Sequence, residues 1–208
     1  MDTNEKHIIN GDSTDPPPSS FDKEKSDVQY QNLVNQLNPH FLFNSLATLE
    51  SLIHSDQKLA TKFLNQLTRV YRYVLSSNAK RLVLIEDELK FMRDYADLLQ
   101  TRFGKGLVVS LEVTLPVPPN KIVPTALQIL VENATRHNIT DIESPLTVRV
   151  TVQNHFLVVE NNLQRKNIPE TKRLMGLQSL RSLYTYLSTV PVEIQETEHF
   201  FIVKLPLL

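Results

Sequence analysis

The sequence predicts an α+β chain: an N-terminal helical hairpin followed by a two-layer α/β sandwich with helices on one face of a mixed sheet. Three observations predict it. Apolar residues recur at helical spacing from Val28 to about Leu75. Beyond the polar link Ser76 to Arg81 a two-residue alternation takes over, first at Leu107, Val109, Leu111, Val113 and Leu115. Later alternating runs are interspersed with further helical stretches, an order that suits helices layered on a sheet.

Residues 1–27 are rich in acids, carry the run Pro16, Pro17, Pro18 and hold few apolar side chains. Such a stretch buries too little to offset its ordering entropy and is predicted to be a disordered polar tail. The hairpin is expected over 28–78. Leu42, Leu46, Leu49 and Ile53 form one stripe, with Leu33 and Leu37 extending an apolar face upstream. Asp56 is a good N-cap for a second helix with a stripe at Leu59, Phe63, Leu67, Val70 and Val74. A lone hairpin has little interior, so its stripes need another surface, and two copies forming a four-helix bundle would satisfy them.

The sandwich is expected over 81–208. Glu86–Phe103 reads as a helix with Leu89, Met92, Ala96, Leu99 and Phe103 inward, acids in its first turn and Gly104 just past its end. Pro124 reads as the first residue of a further helix, with Leu127, Leu130, Val131 and Ala134 inward. Leu146, Val148, Val150 and Val152 alternate, Asn154 marks a turn, and Phe156–Glu160 returns as a hairpin. A helix after Gly176 places Leu177, Leu180, Tyr184 and Leu187 inward. Two last strands centre on Val192–Ile194 and on Phe201, Val203 and Leu205.

Composition narrows the function. Lys plus Arg is 22 against 23 for Asp plus Glu, a net charge of -1 that gives no reason to expect nucleic acid as a partner. The chain has no cysteine, which excludes disulfides, thiolate zinc sites and cysteine nucleophiles and suits a reducing, cytoplasmic setting. No apolar run is longer than Phe156–Val159, far short of a membrane span. Four glycines are too few for a glycine-rich phosphate loop.

Two segments carry chemistry. In the first, Leu37, Asn38, Pro39, His40, Phe41, Leu42, Phe43, Asn44, Ser45, Leu46, a proline stands inside a helical stripe, which predicts a kink near Asn35. Asn44 lies one turn after His40 on the same face, and His40 lies off the stripe of Leu42 and Leu46, open to solvent. Taken alone, a helical histidine is most often structural. The second segment runs from Pro124 to His137, where Asn133, Arg136 and His137 share a face, one oxygen donor with two potential cations. Taken alone, this is a solvated face with Glu132 and Arg136 as an i, i+4 pair.

The first string resembles the phosphoacceptor box of the LytS/YehU-type sensor histidine kinases. The likeness extends to Arg72, Tyr73 and Leu75, to the stretch Leu-Ile-Glu-Asp-Glu-Leu containing Glu88, and to Arg102 and Phe103. The Pro124–His137 helix is similar to the N-box of the GHKL ATPases, and the likeness covers residues 29 to 208. It implies a sandwich of the GHKL (Bergerat) type that binds ATP with Mg²⁺ and phosphorylates His40, with Asn44 beside it. An imidazole is mostly neutral at pH 7 and its free nitrogen is a usable nucleophile. Asn133 is implied as the metal ligand, Arg136 and His137 as phosphate contacts, and Glu132 as acid/base or its support.

Where the family has an aspartate and two glycines after a strand, this chain reads Val159, Glu160, Asn161, Asn162, Leu163, so Asn161 is the implied nucleotide contact. The second glycine box is reduced to Gly176. Lid cations are Arg165, Lys166, Lys172 and Arg173. The implied partners are an aspartate-bearing response regulator and a second copy of the chain, joined through the hairpin. Membrane association is expected only through a segment that this chain does not contain. The alternative is a catalytically degenerate dimeric adaptor for a regulator.

Overall fold

The computed structural model describes residues 39–77, 79–113, 119–166 and 175–208. The expected tail 1–27, the helical face at Leu33 and Leu37, the kink at Asn35, Leu115, and the lid residues Lys172 and Arg173 lie outside the described residues. The side chains of Pro39, His40 and Met175 do so too.

Two helices open the described fold, α1 (Pro39–Ser55) and α2 (Gln57–Ser77). Asp56 caps α2 as expected, its Oδ1 accepting the Leu59 amide at 2.9 Å. The α2 stripe is inward: Phe63, Leu67, Val70 and Val74 are buried. On α1 the inward line is displaced by one residue from the expected leucine stripe. Phe41 and Ser45 are buried and Leu52 is half-buried, whereas Leu46 and Ile53 are exposed. Leu42 and Leu49 of the expected stripe are half-buried, Leu49 against the core, so only Leu46 and Ile53 lie on a different surface.

The helix α3 (Ile85–Phe103) is the central element, packed on α2 at one side and on β2 (Leu107–Glu112) at the other. The expected residues Leu89, Met92 and Leu99 are buried, and so is a second face with Glu88, Phe91, Tyr95 and Leu98. Gly104 ends the helix at φ 56°, donating its amide to the Gln100 carbonyl, a backbone region where glycine avoids a Cβ clash.

Next to α3 lies a two-stranded ribbon that the alternation did not predict, β1 (Val83–Leu84) against β3 (Lys121–Ile122). The main sheet has the order β2-β4-β5-β7-β6, with β4 (Leu146–Gln153), β5 (Phe156–Asn162), β6 (Glu193–Glu196) and β7 (Phe200–Pro206). Only β2 and β4 pair in parallel, Leu107 opposite Leu146. The β4–β5 turn places Asn154 and His155 at φ 49° and 66°, the two left-handed residues of a tight hairpin turn.

Along β4, β5 and β7 the residues Leu146, Val148, Val150, Leu157, Val159, Val203 and Leu205 are buried on one face. On the other face Arg149 pairs with Glu112 and Glu160, and Lys204 pairs with Glu193. Exposed pairs contribute only about 0.2–1 kcal/mol each, so the apolar face decides how the sheet packs. Over it lie α4 (Ala126–His137) and α5 (Met175–Leu187), α4 touching β4, β5 and α5. Leu127, Leu130, Val131 and Ala134 of α4 and Leu177, Leu180 and Tyr184 of α5 are buried as their spacing predicts.

The start of α4 differs from the expectation at Pro124. The helix begins at Ala126, because Thr125 takes the left-handed conformation, φ 58°. No side chain of its own segment caps it. The cap is Glu88 of α3, fully buried, whose oxygens accept the amides of Thr125 at 3.1 Å and Leu127 at 3.0 Å. The Tyr73 hydroxyl of α2 donates to the same carboxyl at 2.6 Å. Glu88 thus joins three helices at one point.

Burial pushes the Glu88 carboxyl from the usual 4.5 up to about 7, against the downward pull of its three donors. Between those values the folded protein keeps a proton that the unfolded chain has released. The contribution of this group is therefore full below pH 4.5 and is lost as pH rises through about 7. Urea midpoints of the wild type are expected to fall over that range relative to those of Glu88→Gln. Glu88→Ala, which strips a hydroxyl and two amides of their acceptor, should cost about 3 kcal/mol in the same measurement.

Candidate functional site

The C-terminal half of α4 presents the polar residues singled out in the sequence. Asn133 and His137 are half-buried and Arg136 is exposed, all on the helix whose opposite side enters the core. Glu132 points toward α3. Its Oε1 accepts the Tyr95 hydroxyl at 2.9 Å and the Gln128 amide at 2.8 Å. The Glu132 charge, after burial, helps to push the Tyr71 hydroxyl of α2 up to about 12.

Two further elements meet α4. The end of β5 brings Asn161, which is buried on the helix-facing side of the sheet, opposite Val148 and Phe201 in register. Its amide donates to the Asn162 carbonyl at 2.7 Å. Asn162 faces the other way and staples the start of β4, accepting the Thr147 amide and donating to the Pro145 carbonyl. Gly176 lies in the first turn of α5 rather than ahead of it, and a Cβ there would meet Ile129 of α4 at an ordinary 3.5 Å. The steric need for glycine that a phosphate-cradling loop imposes is therefore absent at this position.

The strand-to-lid segment 163–166 is stitched to the end of α4. The Ile139 amide donates to the Gln164 carbonyl at 2.7 Å, the Lys166 amide to the His137 carbonyl at 2.9 Å, and the Lys166 ammonium to the Thr135 carbonyl at 2.8 Å. Buried Asn138 completes the junction, donating to the Ala134 carbonyl and accepting the Gln164 amide. Arg165 turns outward to pair with Glu196. Burial, and then the charge of Arg102, hold the Lys166 ammonium below its usual value. Spacing did not point to Asn138 or Lys166 as a helix-end clamp, although a basic residue at helix-terminal carbonyls is a favourable partner for the dipole.

The His40 segment forms the first turns of α1. Asn44 is half-buried, and its backbone carbonyl accepts the Thr48 hydroxyl. Phe41 is buried, its ring 5.1 Å from that of Tyr95 and 6.1 Å from that of Tyr71. Tyr95 thus touches the residue next to His40 with its ring and the residue next to Asn133 with its hydroxyl. It is the functional candidate that sequence reasoning passed over. The usable signal was a second stripe on α3, Ile85, Phe91, Tyr95 and Leu98, masked by the charged residues between them. Among the described residues no group of three or more His, Asp or Glu side chains is placed to hold a metal ion.

Comparison with known proteins places this geometry. Residues 28–107, which include the His40 segment, match the family described as Histidine kinase. The chain is 32% identical over 151 residues to the sensor protein LytS of Enterococcus faecalis, covering 72% of this chain and 26% of that protein. Residues 28–107 of the chain belong to the histidine kinase family. The sensor protein kinase HptS of Staphylococcus aureus is 34% identical to this chain over 141 residues, 66% of this chain and 27% of HptS. The chain therefore spans about a quarter of the length of these curated relatives. The solved cytoplasmic segment of histidine kinase QseC aligns at 21% identity with a TM-score of 0.43, over 72% of this chain and 92% of that one. No described helix of the chain is long and apolar enough to cross a membrane.

The Asn138 clamp makes a local prediction. Asn138→Ala removes two side-chain hydrogen bonds at a buried position and should cost about 1–3 kcal/mol. Amide exchange is expected to quicken at Gln164 while the β4–β5 amides keep their protection.

Proposed function

We propose that this chain is the catalytic part of a two-component sensor kinase, in which His40 takes the terminal phosphoryl group of Mg-ATP and hands it to an aspartate of a response regulator. One observation carries the reading. Tyr95 bridges the helix that bears His40 and the helix that bears Asn133, so the two family segments meet in one chain.

The donor set suits a polyphosphate. Asn133 offers an amide oxygen to Mg²⁺, and Arg136 and His137 offer positive hydrogen-bond donors to phosphate oxygens. Asn161, inward on the sheet, offers a neutral amide to the base in place of the usual carboxylate, which gives a weaker contact than a charged one. The amides of the α5 first turn, that of Gly176 among them, would favour an anion. ATP supplies the phosphoryl group. As the imidazole nitrogen bonds to phosphorus and the bridging P–O bond breaks, the ring proton passes to Glu132. Asn44, one turn after His40, would be within reach of the phosphorylated ring.

The hairpin supports a homodimer. Phe43 is 70% exposed, Ile53 57% and Leu75 54%, with Leu46 and Leu64 also exposed. A second copy would cover these residues in a four-helix bundle. The reading keeps the kinase on the cytoplasmic side, where ATP and a regulator are available. The competing reading, a dimeric adaptor without catalysis, is favoured by Asn161 and by the missing glycines.

Labelled Mg-ATP separates the two. The kinase reading expects an acid-labile, base-stable label that disappears in His40→Gln and falls at least about a hundredfold in Asn133→Ala, with the dimer intact. No label together with no nucleotide-induced thermal shift establishes the adaptor. Leu46→Glu combined with Ile53→Glu should convert the dimer to monomer in light scattering, and an unchanged mass would reject the hairpin as the interface.

A further inference from the structure

We propose that Tyr95 is a positioning residue for phosphoryl transfer, holding Glu132 in the orientation that receives the His40 ring proton; this rests on the kinase reading above. Tyr95 is fully buried, and its hydroxyl donates to Glu132 Oε1 at 2.9 Å. Gln128, one turn earlier on α4, donates to the same oxygen at 2.8 Å. Two donors converging on one carboxylate oxygen fix the rotation of the Glu132 carboxylate.

The ring that carries the hydroxyl is itself fixed, by Phe41 at 5.1 Å and Phe91 at 5.9 Å. Phe41 follows His40 directly, so the side chain that orients the base is located by the segment that presents the nucleophile. Burial first, and then the Glu132 charge, push the Tyr95 hydroxyl well above its ordinary range, which keeps it a donor throughout the working pH. During transfer the nitrogen–phosphorus bond forms, the bridging P–O bond breaks and the proton moves to Glu132. Tyr95 neither gains nor loses a proton.

The test measures initial rates of His40 labelling at varied Mg-ATP in the full chain, for the wild type, Tyr95→Phe, Glu132→Gln and the double variant. Tyr95→Phe keeps the ring and removes only the donor. Its kcat is expected to fall about tenfold with KM for ATP unchanged, as for loss of one hydrogen bond that matters at the transition state. In the Glu132→Gln background the same change should have no further effect, because Tyr95 acts through Glu132. Gln128→Met removes the second donor at a different place and should give the same kcat-only loss. Losses from Tyr95→Phe that multiply equally in both backgrounds, or that fall on KM alone, would overturn the proposal. Full labelling in Tyr95→Phe and Gln128→Met, with labelling lost in Glu132→Gln and His40→Gln, rejects the role of Tyr95 while leaving the kinase reading in place. A wild type that takes no label removes both.

Discussion

A carboxyl group buried among three helices is the constraint on which the arrangement depends. Glu88 stands where α2, α3 and α4 converge, and each contributes something that only the other two can satisfy: a tyrosine hydroxyl, a carboxyl and a pair of unpaired helix-terminal amides. Taking a carboxyl out of water is unfavourable unless its acceptor sites are filled. Filling them fixes where α4 begins and how it is rotated. The rotation aims Glu132 at α3 and leaves Asn133 and His137 half-buried and Arg136 exposed.

An aromatic seam reinforces that junction. Tyr73 stacks on Phe91 at 4.4 Å, Phe91 lies against Tyr95, and Phe41 closes the row from α1. Ring pairs of this kind contribute about 0.5–1.5 kcal/mol each beyond their buried area. A polar cap and an apolar seam therefore share one interface between the hairpin and α3. The hairpin is held along that interface through side chains of α2 and the first turn of α1, and its outer leucines are left for a different contact.

Most elements were legible because their periodicity is clean. The α2 stripe, the inward residues of α4 and α5 and the alternation of β4, β5 and β7 each report a single inward face, and the structure buries most of those residues, with Leu59, Val152, Leu187 and Phe201 half-buried at the ends. The stripe of α1 was misplaced because that helix has two apolar faces, and leucine spacing alone does not say which one a single chain covers. On α3 the sheet-facing side was legible and the hairpin-facing side was not: Glu88 and Tyr95 look like surface residues until partners from distant segments are supplied. The site divides in the same way. His40, Asn133 and their neighbours were marked by local pattern, whereas Tyr95, Asn138 and Lys166 act across long sequence separations. The start of α4 was placed two residues early because proline normally opens a helix, and here a left-handed Thr125 intervenes.

The parallel pairing of β2 with β4 bears on how the chain assembles. Residues 107 and 146 become neighbours only after the intervening segment, α4 included, has formed and crossed over the sheet, whereas β4 and β5 need only a two-residue turn. Closing the longer loop loses more chain entropy before any contact rewards it. The antiparallel strands therefore offer a template first, and β2 docks late. In a growing polypeptide β2 emerges before its partner exists, so Val109 and Leu111 wait without a strand to pair with. The charges of Lys105 and Glu112 at its two ends give some protection against premature association during that interval.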